Sequence, residues 1–302
     1  MVVLLRSLTV VASIVAISGG CRQSENARAE QLRDVKVNRE RLLQSRLGAA
    51  DSSSRPVALA QWIMPNELRE ISGLALLPNG RVLAHDDEVG RIYEIDPKTG
   101  VIERRFALSG SPRGDFEGIT VAGDDVYLLQ SDGWLFKFQI APDGDEAVYE
   151  RFNTQLGKEC EFEGVAYEAD SSQLVLPCKK VHKNKSLKHD IVIYKVMLPL
   201  SNPLRTTVMT IPVDDVLDAN HWKEISPSDI AIDPVTRNYV LVAAREKALV
   251  ILSPDGQLLK AEALPPGHEQ AEGVAVTPDS ILIISDEATH RPADITLYRW
   301  RR

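Results

Sequence analysis

The chain is poor in the residues that build soft metal sites. It has three cysteines and six histidines in 302 residues, and no cluster of them has metal-ligand spacing. This argues against a zinc-type nitrogen and sulfur centre. Residues 56–302 contain no Rossmann-type glycine loop and no long amphipathic helix. A Gly-x-Ser-x-Gly elbow and a His-Glu-x-x-His pair are also missing, which removes two common routes to hydrolysis. A long hydrophobic run is lacking as well. The best apolar stretch, Leu8–Ile17, covers about ten residues where a membrane span needs about 20. Basic excess is absent too: the net charge is −8. An acidic chain is a poor partner for nucleic acid and a fair one for cations.

What is present begins with a leader. Arg6 is the sole charge of Met1–Gly20, and the short apolar run is typical of a signal h-region. Ser18, Gly19 and Gly20 then lead into Cys21, which resembles a bacterial lipobox whose cysteine is lipidated. The expectation is a signal peptide over 1–21 ending at a lipidated Cys21. The body is then exported and anchored in the cell envelope by its N-terminal lipid, facing the periplasm. Arg22 after the cysteine slightly favours the outer membrane, by resemblance to enteric lipoproteins. Residues 22–55 read as a polar, partly helical tether, with Leu32, Val35, Leu42, Leu43 and Leu47 along one side. Leader and tether together carry a net +4, so the total of −8 leaves −12 for residues 56–302.

The body repeats one phrase five times. It reads Glu70–Leu76, Asp115–Val121, Glu161–Tyr167, Pro227–Ile232 and Gln270–Val276, with starts roughly 45–65 residues apart, a propeller-like period. Each copy sets an acidic or small polar residue before an apolar strand and is followed by further short strands divided by turn signals. Four strands per repeat give an all-β, five-bladed β-propeller over 56–302. The fifth repeat lacks one strand, and Val57–Met64 stands unassigned upstream. Placing that segment as the outer strand of the last blade closes the ring and pairs its edges.

The Ser-Gly or Glu-Gly step at each inner strand appears as Ser72-Gly73, Glu117-Gly118, Glu163-Gly164 and Glu272-Gly273. In these motifs the body resembles the SdiA-regulated protein family of exported bacterial propellers, distantly NHL-like. The fourth repeat departs from the pattern with Asp229-Ile230. The resemblance implies a calcium ion in the central channel and leaves the activity open.

Register places Ser72, Glu117, Glu163, Asp229 and Glu272 at one level of the channel mouth. Converging carboxylates repel by a few kcal/mol per close pair at an effective dielectric of about 20. Raised pKa values, cationic neighbours or a bound metal relieve that repulsion. An all-oxygen set suits Ca²⁺, with Glu117, Glu163 and Glu272 as core ligands and Asp229 as a fourth. The ends of the second strands reach the same mouth, bringing Asp86, Lys179, Arg245 and Asp286. Lys179, Lys180, Lys183, Lys185 and Lys188, with His182 and His189, make the third repeat's long loop basic. The expected role is binding or scaffolding at the mouth, toward an anionic small molecule or an envelope protein. The alternative is a Ca²⁺-dependent phosphoester or ester hydrolase, phytase- or lactonase-like. In that scheme Lys179 or Arg245 stabilises charge and Asp86 or Asp286 acts as base. No Asn lies at ring level, as propeller lactonases would have. Cys160 and Cys178 fall at the same end of one hairpin and are candidates for a disulfide in an oxidising compartment.

Overall fold

A computed structural model describes residues 15–50, 57–187, 189–201 and 203–302. The first part of the expected leader lies outside them, and of Cys21 only the helical backbone is described. Five antiparallel sheets surround an axis. Blade 1 comprises Ile71–Leu76, Val82–Asp86, Arg91–Asp96 and Val101–Leu108; blade 2 comprises Phe116–Ala122, Asp125–Gln130, Trp134–Phe138 and Tyr149–Asn153. Blade 3 has Gln173–Val181, Asp190–Met197 and Thr206–Pro212 outside an inner strand split into Cys160–Phe162 and Ala166–Glu168. Blade 4 comprises Asp229–Ile232, Tyr239–Ala243, Ala248–Leu252 and Leu258–Ala263. Blade 5 takes Ala271–Val276, Ile281–Asp286 and Asp294–Arg299 from the C-terminal end, and Ala58–Ile63 pairs antiparallel with its outer edge. The chain therefore forms a five-bladed β-propeller closed by an N-terminal strand.

Closure is fixed by side chains as well as by the ladder. Trp62 packs its ring over the turn of blade 1, and its indole N–H donates to the Pro97 carbonyl at 2.8 Å. Gly100 in that turn has φ +67°, and a Cβ there would lie 2.4 Å from the Trp62 ring. Only glycine satisfies both demands. The core of the closing blade is mainly aliphatic, with Leu59, Ile95, Ile283 and Ile295, whereas the core between blades 1 and 2 is built on Phe106, Phe116, Phe136 and Phe138.

Two details depart from the strand reading. Glu146–Ala147 leaves blade 2 and adds a short parallel pairing to Leu108 and Ala107 at the edge of blade 1. Residues 22–55, read as a tether, belong over most of their length to one helix, α1 (Val15–Ala50). Its last turns dock on the closing blade, where Leu43 and Ala50 are buried in the core and Leu47 packs against it. Lys36 pairs with Glu103, Arg39 lies over the Trp62 ring at 4.8 Å, and Arg46 donates to the Leu59 carbonyl at 3.1 Å. The docked positions 36, 39, 43, 46, 47 and 50 share one helical face. Half of that face is cationic, so apolar periodicity alone did not reveal it. Among the described residues no helix is long and apolar enough to cross a membrane.

Candidate functional site

A cavity of about 150 Å³ sits at one end of the channel, lined by Glu70, Ser72, Asp87, Glu117, Glu163, Lys179, Gln270, Glu272 and Glu287, among others. Six of these are carboxyl groups and one is an ammonium. They come from blades 1, 2, 3 and 5. Backbone geometry explains why three of the expected residues turn inward. Ser72, Glu117 and Glu272 fall at register shifts in the ladders Ile71/Leu74, Phe116/Gly118 and Ala271/Gly273. A bulge of this kind re-aims a side chain that would otherwise alternate between faces. Glu163 follows the interrupted inner strand of blade 3, where Gly164 has φ +88°.

The electrostatics are strained toward the neutral form. Burial pushes Glu272 up to about 7, against the pull of Lys179. Glu117 is raised further, by burial and then by the Asp115 charge. Burial followed by the Glu70 charge lifts Asp87 to about 6. Glu287 is raised by burial and by a hydrogen bond shared with Glu70. Lys179 Nζ is paired with the Glu163 carboxylate, and Gln270 donates its amide to Glu272. Asp87 Oδ1 is buried and has no partner.

The structure places Asp229 elsewhere. It pairs opposite Val242 as Gly273 pairs opposite Ser285, so it occupies the glycine position of the motif, one step inward from the ring. The glutamate position of blade 4 is held by Ser228, whose hydroxyl accepts from the Ala244 N–H at 2.8 Å. Asp229 is fully buried. Its Oδ2 accepts from the backbone N–H of Val274 at 2.8 Å and of Leu74 at 3.3 Å, which ties the inner strands of blades 5 and 1 to blade 4. Burial holds its carboxyl well above the usual range. The shift was hidden because Pro227-Ser228-Asp229 reads as a degenerate Glu-Gly step, while register is fixed by the pairing partner.

Of the four residues considered for catalysis, only Lys179 reaches the acidic cavity. Asp86 Oδ1 accepts from the Glu88 and Val89 N–H groups at 3.0 Å each, closing a turn. Asp286 accepts from His268, and from the Glu269 and Gln270 N–H groups at 3.0 and 3.1 Å. Arg245 pairs with Glu224 at 2.9 Å. The residues that do line the mouth are their successors Asp87 and Glu287, together with Glu70. Successive strand side chains face opposite ways, so a one-residue error exchanges a ligand for a turn cap. Glu88-Val89 after Asp86 is the readable signal, an Asx turn that commits that carboxylate locally.

A second cavity of about 620 Å³ adjoins the mouth and shares Lys179 with it. Lys180, His182 and Arg245 line it together with Glu161, Asp190 and Glu224. Cys178, bonded to Cys160 with their Cα atoms 5.8 Å apart, forms part of its wall. In the basic loop Lys183 pairs with Glu159. Lys188 lies outside the described residues, as does the Lys185 side chain.

The donors at the mouth are all oxygen, which fits a hard cation. Among the described residues no three acidic, imidazole or thiol groups are drawn together closely enough to enclose an ion as they stand. The Glu163 carboxylate is held by Lys179 instead.

No family model matches the chain, and no curated protein sequence matches it. Solved structures share its architecture. The PQQ-bound aldose sugar dehydrogenase of Streptomyces coelicolor is 13% identical over 81% of this chain and 99% of that one, with a TM-score of 0.50. The glutaminyl cyclase of Myxococcus xanthus is 11% identical over 80% of this chain and 95% of that one, with a TM-score of 0.52. At these identities the likeness is one of β-propeller fold alone.

Proposed function

We propose that this chain is a lipid-anchored envelope propeller of the SdiA-regulated type that binds Ca²⁺ at its acidic mouth and there holds an anionic partner. One observation carries the reading: six carboxyl groups face a single ammonium around a cavity of about 150 Å³. Glu117, Glu163 and Glu272 would supply the core oxygens, and Asp87 has an unpartnered oxygen to add. Asp229, one layer inward, supports the inner strands and is left out of this set. The ion would supply a positive charge that an anionic ligand can share with Lys180 and Arg245 in the adjoining cavity. The role favoured is binding. The carboxylates considered as general bases, Asp86 and Asp286, are committed to backbone N–H groups. The anchor rests on the leader and Cys21. A helix rises 1.5 Å per residue, so α1 would hold the propeller roughly 20 Å from a lipid at Cys21.

Thermal melting tests the ion. A ligand at 100 times its Kd stabilises by about 2.7 kcal/mol, which for a domain of this size is about 5–10 °C in Tm. Calcium added after chelation is expected to give that rise, magnesium a smaller one, and Glu163→Gln or Glu117→Gln to remove most of it. An unchanged Tm with calcium, or a full rise in both variants, would overturn the reading.

A further inference from the structure

The other end of the channel carries a cavity of about 550 Å³, within the usual range of small-molecule pockets, about 300–1,000 Å³. Its walls are built by the same five-fold phrase that makes the acidic mouth. Two residues beyond each glycine position stand Ala75, Thr120, Ala166, Ala231 and Ala275, and every one lines this cavity. The next residues outward, Leu76, Val121, Tyr167, Ile232 and Val276, form a second, larger ring nearer the opening. The small side chains leave the channel wide, while the larger ones also pack into the cores between blades, where Val276 is buried. The layer holding Asp229 and the glycines separates this cup from the carboxylates, so it is closed at its base.

The opening is polar on one side, and its charges are satisfied. Lys195 Nζ lies 3.3 Å from Glu168 and 5.2 Å from the Tyr239 ring centroid. Glu168 also accepts from the hydroxyls of Ser171 and Tyr239. Arg237 pairs with Asp170 at 3.4 Å, and Asp255 accepts from the Ser253 hydroxyl. Three acidic groups and two basic ones border the cup, so an anionic head would meet a small excess of like charge. We infer that the cup binds a neutral amphiphile, an aliphatic body with an uncharged hydrogen-bonding head set at the Glu168–Lys195 side of the opening. This inference does not rest on the calcium reading, since the two cavities share no lining residue.

Titration calorimetry of the full-length chain with n-alkanols tests it. Burial of a methylene is worth about 0.8 kcal/mol, about fourfold in Kd. Affinity is expected to tighten about fourfold per carbon from hexanol and then level off once the cup is full. Alkanoates of equal length are expected to bind at least tenfold more weakly. Val121→Trp, which adds bulk at the rim where Val121 also packs against the core between blades 1 and 2, is expected to weaken decanol at least tenfold in a chain that stays folded by circular dichroism, and chelator is expected to leave decanol binding unchanged. Absence of binding, no dependence on chain length, equal affinity for alkanoates, or full affinity in a folded Val121→Trp chain would each overturn the inference.

Discussion

Asp229 stands where the other blades carry glycine, and the reason lies in the space around the axis. A Cβ at Gly118 would fall 2.6 Å from the Gly164 carbonyl carbon, and one at Gly164 would fall 2.7 Å from Asp229 Cα. Blades 1, 2, 3 and 5 therefore give up a side chain so that their backbones can meet, and blade 4 fills the remaining room with one carboxyl. That carboxyl does the work of a backbone carbonyl, accepting from Leu74 and Val274 across the axis. Its other oxygen is buried without a partner, an arrangement that suits a neutral acid better than an ion. Asp229→Asn keeps an acceptor and matches the neutral form of the acid, so it is expected to cost under about 1 kcal/mol at pH 7. Asp229→Ala strands two buried N–H groups, at about 1–3 kcal/mol each. Urea denaturation separates the two outcomes. Equal losses in both variants would show that the bonds to Leu74 and Val274 are not what the residue supplies.

At the scale of the element, blade 3 shows how a strand can be broken and kept. Its inner strand stops after Phe162 and resumes at Ala166, and the gap is where Glu163 turns toward Lys179. Cys160 and Cys178 staple the free end to the neighbouring strand, 18 residues apart in the chain. A loop of that length gives about 3 kcal/mol on the chain-entropy account. Replacing both cysteines by serine is expected to remove roughly that amount in urea titrations, and thiol labelling of the native chain should find neither sulfur free. A loss well under 1 kcal/mol would mean that the hairpin holds without its staple. The blades themselves were legible because apolar inner strands and turn residues recur at a fixed period, and the missing strand of blade 5 pointed to Val57–Met64. The candidate site was legible at Glu117, Glu163 and Glu272 for the same reason. It was less so wherever a local hydrogen bond decides direction. Asp86 and Asp87 look alike in sequence, and only the turn at Glu88 and Val89 commits one and frees the other. Docking of α1 was hidden because Lys36, Arg39 and Arg46 make contacts that hydropathy does not register.

Over the whole molecule, the ring brings carboxyl groups from separate blades to one mouth and must hold them there. The energetic consequence is a pH dependence of definite sign. Asp87, Glu117, Glu272 and Glu287 all have native pKa values above the ordinary carboxylate range, Asp87 at about 6 and Glu272 at about 7, each mainly because of burial. For such a group the folded state holds the proton more tightly than the unfolded chain. Its stabilising contribution is complete below the unfolded pKa and is lost as pH rises through the folded one. Glu168 and Asp233 have the opposite sign, lowered by hydrogen bonds from Ser171 and Tyr239 and from Trp300 respectively, against the effect of burial. Their contribution falls away only under acid conditions. In chelator, Tm is therefore expected to be highest near pH 5 and to decline steadily toward pH 9, as blades 1, 2 and 5 come to repel one another at the mouth. A calcium ion bound as proposed would compete with the same protons, so its stabilisation is expected to grow over that interval and flatten the decline. Melting curves at half-unit steps, with chelator and with calcium, test both parts. A Tm in chelator that is flat or rising between pH 6 and 9 would show that the converging carboxyls carry no strain, and the case for a cation at the mouth would lose its physical basis.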